Sequence, residues 1–112
     1  MFLSFCFIPL NTTLGVQEIA ALRKISPLSI VELRLHAAQG RSVLEMPALW
    51  GDWPHNVPQL KLILDAIEDG QLPLRVVLAE VYEDEALSDS IDLTVDEARA
   101  QMEDYLRQDP HA

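Results

Sequence analysis

The sequence predicts an α+β fold: a two-layer β-α-α-β-α-β sandwich with a short three-stranded sheet, followed by an appended C-terminal helix. Three observations predict it. Apolar runs of strand length near residues 3–9, 42–46 and 74–82 alternate with segments whose apolar side chains recur at helical spacing. Two helix starts carry capping boxes, Ser29 with Glu32 and Thr94 with Glu97. Gly40 and Gly70 stand where helical patterns stop. A chain of 112 residues, 49% hydrophobic, builds one core without a disulfide or metal to support it. The expected division within this single domain is residues 1–82 as the α/β core, 83–93 as an acidic connector and 94–108 as the C-terminal helix.

The first strand, Leu3 to Pro9, is rich in aromatics and ends at proline. It resembles the apolar part of an export signal but lacks the basic segment before it and an A-x-A-like site after it, so a buried strand is expected. Helix one runs from about Val16 to Ile25, capped by Thr12, Thr13 or Gly15. Ser26-Pro27 breaks it, because the residue before a proline avoids helical backbone. Helix two starts at the Ser29/Glu32 box, with Leu28 and Leu33 as a hydrophobic staple, and stops at Gly40. Strand two covers Ser42 to Met46 or a little beyond, limited by Pro47. Trp50 to Asn56 reads as a loop. Helix three starts at Asn56, with Gln59 in the capping-box position and an apolar face of Leu60, Ile63, Leu64 and Ile67, and ends at Gly70. Strand three, Leu74 to Tyr82, is apolar on both faces, as a central or doubly covered strand is. Glu83 to Asp92 holds five acids and no base and reads as a solvated connection. In helix four, Val95, Ala98, Met102, Tyr105 and Leu106 form the apolar stripe, and Glu103 and Arg107 form an i, i+4 pair.

The order through Tyr82 resembles the C-terminal domain of the bacterial ribosomal stalk protein, whose fold is shared by the Clp protease adaptor. The likeness lies in Leu28-Ser29-Ile30-Val31-Glu32 opening the second helix, a short strand with proline after it, and a third helix, Asn56 to Gly70, feeding a hydrophobic strand. It covers residues 3–82 and implies a three-stranded sheet with helices. The function does not come with it. The stalk domain meets translation factors through lysines on its first two helices, where this chain offers Arg23, Lys24 and Arg34 among acids. The adaptor's pocket uses an Asn-Asp pair after its first strand, where Asn11 is followed by Thr12.

Eighteen acidic against eight basic residues give a formal charge of −10, without a basic cluster. Phosphate backbones and anionic membranes select the opposite balance, so neither is an expected partner. No apolar run reaches the roughly 20 residues that cross a bilayer. Cys6 is the only cysteine and sits between Phe5 and Phe7, which predicts a buried, unreactive thiol; a cytoplasmic location is the default.

No pattern of catalysis, metal binding or cofactor binding stands out, and none is expected. His36, His55 and His111 lack a second ligand at i, i+4, and His36 is expected at a surface or boundary. No G-x-S-x-G turn or phosphate loop occurs. The acids Asp65, Glu68 and Asp69, and Glu83 to Glu85, read as solvated faces. The most unusual stretch is Trp50-Gly51-Asp52-Trp53-Pro54-His55. Its tryptophans either fold back to cap the core or, where exposed, mark a contact site formed by Trp50, Asp52, Trp53 and His55.

The first expectation of function is therefore a protein–protein interaction module, with a protein partner or a homodimer formed through helix four or a sheet edge. A second is an immunity or inhibitor protein for a basic partner, drawn by long-range attraction to the acidic chain. A third is a small enzyme or small-molecule binder using the Trp50–His55 loop, which requires a cleft there.

Overall fold

The computed structural model describes residues 2–48, 53–81 and 87–108, the side chains of Phe2, Val81, Leu87, Ser88 and Asp89 excepted. Among the described residues the fold is α+β, with four helices and a four-stranded antiparallel sheet: β1 (Phe2–Pro9), α1 (Val16–Arg23), α2 (Ile30–Gln39), β2 (Leu44–Ala48), α3 (Trp53–Glu68), β3 (Leu74–Val81), β4 (Leu87–Leu93) and α4 (Val95–Gln108). The strand order is β2-β1-β3-β4. The expected three-stranded β-α-α-β-α-β sandwich is thus corrected to four strands, and the acidic connector 83–93 to a segment that contains β4.

The opening aromatic run lies at the centre of the sheet, where β1 pairs with β2 from Leu3↔Ala48 to Phe7↔Leu44 and with β3 from Phe2↔Val81 to Pro9↔Leu74. Alternation along a strand sends Phe5 and Phe7 to one face and Cys6 and Ile8 to the other. Phe5 and Phe7 join one cluster with the buried residues of all four helices, while Cys6 and Ile8 form a smaller cluster with Val77 and Ala79. This two-sided burial explains why β3 is apolar on both faces. Burial also pushes the Cys6 thiol up to about 12, helped by the Glu45 carboxylate, so the thiolate that reacts is not populated at neutral pH.

The helix boundaries follow local chemistry. In α2 the Ser29 hydroxyl accepts from the Glu32 N–H at 3.2 Å and Glu32 accepts from the Ser29 N–H at 3.2 Å. The helix ends at Gly40, whose φ of 66° is the left-handed conformation that a side chain resists. The same reciprocal pair opens α4, where Thr94 and Glu97 bond at 3.0 and 3.1 Å. In α1, Gly15 is the N-cap, without a side-chain bond.

Details of α3, β2 and α4 differ from expectation. Helix α3 begins at Trp53 rather than Asn56, because Pro54 fits a first turn, where its missing N–H costs nothing. Pro58 then lies inside the helix at an exposed position, where its missing N–H leaves the Pro54 carbonyl without a helical donor. Strand β2 starts at Leu44 rather than Ser42 and runs a little beyond Met46, through Pro47 to Ala48, which an edge strand permits. On α4, Arg107 bonds Asp104 at 3.3 Å rather than pairing with Glu103.

Candidate functional site

The four residues singled out around the tryptophan loop do not share a described cleft. Trp50 and Asp52 lie outside the described residues, as do Glu83 to Glu85 and His111. Trp53 takes the core alternative: it is 1% exposed, stacks on Phe5 with ring centroids 5.9 Å apart, and meets Tyr105 edge-on at 6.1 Å. It is thus a keystone between β1, α3 and α4, the first of the two readings, and not an exposed contact residue. Its indole Nε1 has no hydrogen-bond partner among the described residues. His55, two residues on, is exposed.

The helices divide into two groups. Helices α3 and α4 pack on each other. Arg99 of α4 joins them by donating to Asp65 at 2.6 Å and Glu68 at 2.7 Å, and it approaches Asp96 at 3.6 Å. Its guanidinium holds the Glu68 carboxyl below the usual carboxylate range. The apolar stripe of α4 is thus buried within its own chain, through Ala98, Met102 and Tyr105.

Helices α1 and α2 form the other group. The Ser26 hydroxyl between them donates to the Val43 carbonyl and accepts from the Leu28 N–H at 3.2 Å. The Leu10 N–H donates to the Pro73 carbonyl at 2.9 Å. These bonds tie the pair to the end of the sheet where β1 finishes and β2 and β3 begin. Leu22 and Leu33 anchor it, both fully buried, each worth about 1.5–3 kcal/mol. The outward side is unlike that of the other group. Val16 is 79% exposed, Val31 75% and Leu35 49%, with Leu10 and Ile30 exposed nearby in the sequence.

Charge is divided in the same way. Residues 1–48 carry four bases (Arg23, Lys24, Arg34, Arg41) and three acids, and residues 49–112 carry four bases and fifteen acids. Among the described residues the first four cations have no carboxylate within ion-pair distance, whereas Arg75, Arg99 and Arg107 are paired.

A groove of about 430 Å³ opens beside this pair, where α2 ends and β2 begins. Leu28, His36, Arg41, Ser42, Leu44 and Glu45 are among its lining residues. His36, expected at a boundary, is half-buried, and its Nδ1 lies 2.8 Å from the Ser42 carbonyl, which fixes that nitrogen as the donor. The Ser42 hydroxyl donates to Glu45 Oε1 at 2.9 Å. Of these residues only His36 was weighed from the sequence. The available signal was in α2: Val31 and Leu35 fall on the side away from Leu33 and Ala37, an apolar pair that one buried helix face does not account for.

No family model, no curated protein and no solved structure matches the chain. No helix among the described residues is long and apolar enough to cross a membrane.

Proposed function

We propose that the chain is a protein–protein interaction module that meets its partner on the outward face of α2. The observation that carries this reading is the pair Val31 and Leu35, one helical turn apart and exposed, on a helix whose other face is buried through Leu33 and Ala37. Exposed apolar side chains grouped on one element mark contact sites more often than scattered ones do. Arg23, Lys24, Arg34 and Arg41 on the same pair of helices and the turn after it, without an ion-paired carboxylate among the described residues, suit a partner with an acidic rim. The apolar centre and the acidic remainder of the chain disfavour a phosphate backbone.

The test is affinity capture and light scattering with matched variants. Val31→Asp abolishes partner binding or self-association, while Leu62→Asp, at an equally exposed apolar position on α3, leaves it intact. Binding lost only with Leu62→Asp sinks the proposal.

The fifteen acids of residues 49–112 favour a second reading, an immunity or inhibitor protein for a basic partner. Such a complex weakens steeply as salt rises, and binding indifferent to salt argues against it. A small-molecule site at the Trp50–His55 loop has less support, since Trp53 is enclosed by Phe5 and Tyr105.

A further inference from the structure

The sheet ends on one side in an open backbone edge, and the charge around that edge selects what can pair there. Among the described residues β4 pairs with β3 alone, from Val76↔Leu93 to Val81↔Leu87. Alternate residues of such a strand turn their N–H and C=O groups away from the sheet and form a template for a further strand. The other edge, β2, is shorter and carries Pro47, which has no N–H to offer. Residues 80–97 hold eight acids and no base, four of those acids in β4 and the first turn of α4. Arg75 bonds Asp92 at 2.7 Å, but both side chains are exposed, and an ion pair of that kind contributes little. The two faces beside the edge differ. Ile91 shares a register row with Leu78 and Phe5 on the helix face and is 64% exposed. Asp92 shares one with Val77 and Cys6 on the opposite face. The same charge disfavours a second copy as occupant, because β4 laid on β4 brings the aspartates of both strands into one ladder, where like charges repel.

We propose that β4 accepts an extended basic segment of another protein as a further strand of the sheet. Backbone hydrogen bonds along the β4 edge hold the segment. An apolar side chain of the segment lies against Ile91 on the helix face, and lysine or arginine at the alternate positions lies over Asp92 on the opposite face. The site lies at the opposite edge of the sheet from β2, the strand that follows α2, so it goes beyond the partner face proposed on α2 and does not depend on it.

The test is a ¹H–¹⁵N NMR titration of the whole chain with the end-blocked peptide Lys-Val-Lys-Val-Lys-Val-Lys. Two copies serve as controls, one N-methylated along its backbone and one with glycine in place of valine. The first peptide gives saturable shifts along residues 87–93 and slows hydrogen exchange at alternate β4 amides. Each control, with the same charge, binds at least about tenfold more weakly. Ile91→Lys and Asp92→Asn each weaken binding of the first peptide, and Glu45→Gln, on the other edge, does not. All three residues are exposed, so the variants keep the fold. Equal binding of the N-methylated copy means attraction of charge alone and overturns the proposal. Shifts centred elsewhere overturn it too, as does the absence of binding, which leaves the acids only the task of keeping copies of the chain apart. Val31→Asp leaves the titration unchanged, so this test fails or succeeds independently of the partner-binding test.

Discussion

The α3–α4 pair and the α1–α2 pair are made of similar residues put to opposite uses. In the first, the large aromatic Trp53 is enclosed by Phe5 and Tyr105, and the cation Arg99 is bound by Asp65 and Glu68. In the second, Val16, Val31 and Leu35 face solvent, and the cations have no carboxylate partner among the described residues. The first half puts its largest aromatic and Arg99 to use in its own packing, although Leu62 on α3 is exposed. The second is held by a few buried anchors and leaves a group of apolar side chains and its cations outside. On the proposed reading, stability and recognition belong to different helices, and mutations separate them.

The largest expected effect is at Trp53. Replacing it with alanine empties the contact between β1, α3 and α4 and costs about 3–5 kcal/mol, read as a fall in the urea midpoint. A cost below about 1 kcal/mol, the range of ordinary surface changes, would show that the α3–α4 half is not the stable one. Next comes Ser26→Ala, which leaves the buried Val43 carbonyl without its donor and costs about 1–3 kcal/mol. Hydrogen exchange sharpens this: α1 and α2 lose protection before α3 and α4 do. Thr94→Ala removes the α4 cap for about 1 kcal/mol, and Ser29→Ala does the same to α2, so unequal costs would reveal which helix leans more on its cap.

Acid distinguishes the halves more subtly. Bonds from Arg99 hold Glu68 below the usual carboxylate range, and bonds from the Thr94 N–H and hydroxyl do the same for Glu97. A carboxylate depressed in the folded state adds stability above its unfolded value, about 4.3, and loses it as pH falls through the lowered folded value. The urea midpoint therefore drops on acidification in that range, and less steeply in Arg99→Gln. Equal slopes would mean that the bridge does not couple to folding. The smallest stability effect is at Val31: the change to aspartate shifts stability by less than about 0.5 kcal/mol and leaves the circular dichroism spectrum unchanged.

Where local chemistry alone decides structure, the sequence was legible. Both capping boxes, the Gly40 stop, the buried Cys6 and the doubly buried β3 could be read from residue types and spacing. The misses arose where neighbours decide. Strand β4, Leu-Ser-Asp-Ser-Ile-Asp-Leu, alternates only at Leu87, Ile91 and Leu93, with Asp89 breaking the pattern. It is an edge strand paired on one side only, beside a register shift at Glu80/Val81, so its composition resembles that of a polar loop. The groove escaped detection because Arg41, Ser42 and Glu45 carry no motif; the turn at Gly40 and the pairing of β2 with β1 bring them together.

The position of β1 also bears on how the chain is made. Its partners lie from Leu44 to Ala48 and from Leu74 to Val81, so the centre of the sheet is completed by segments synthesised well after it. Until β3 leaves the ribosome, the Phe5-Cys6-Phe7 segment has only one of its two neighbouring strands. A nascent chain in this state exposes a sticky aromatic ribbon, the kind of surface that chaperones hold. The long sequence separation of these pairings also makes the search for them slow, so folding of this small domain is set by the wait for its third strand rather than by its quickly formed helices.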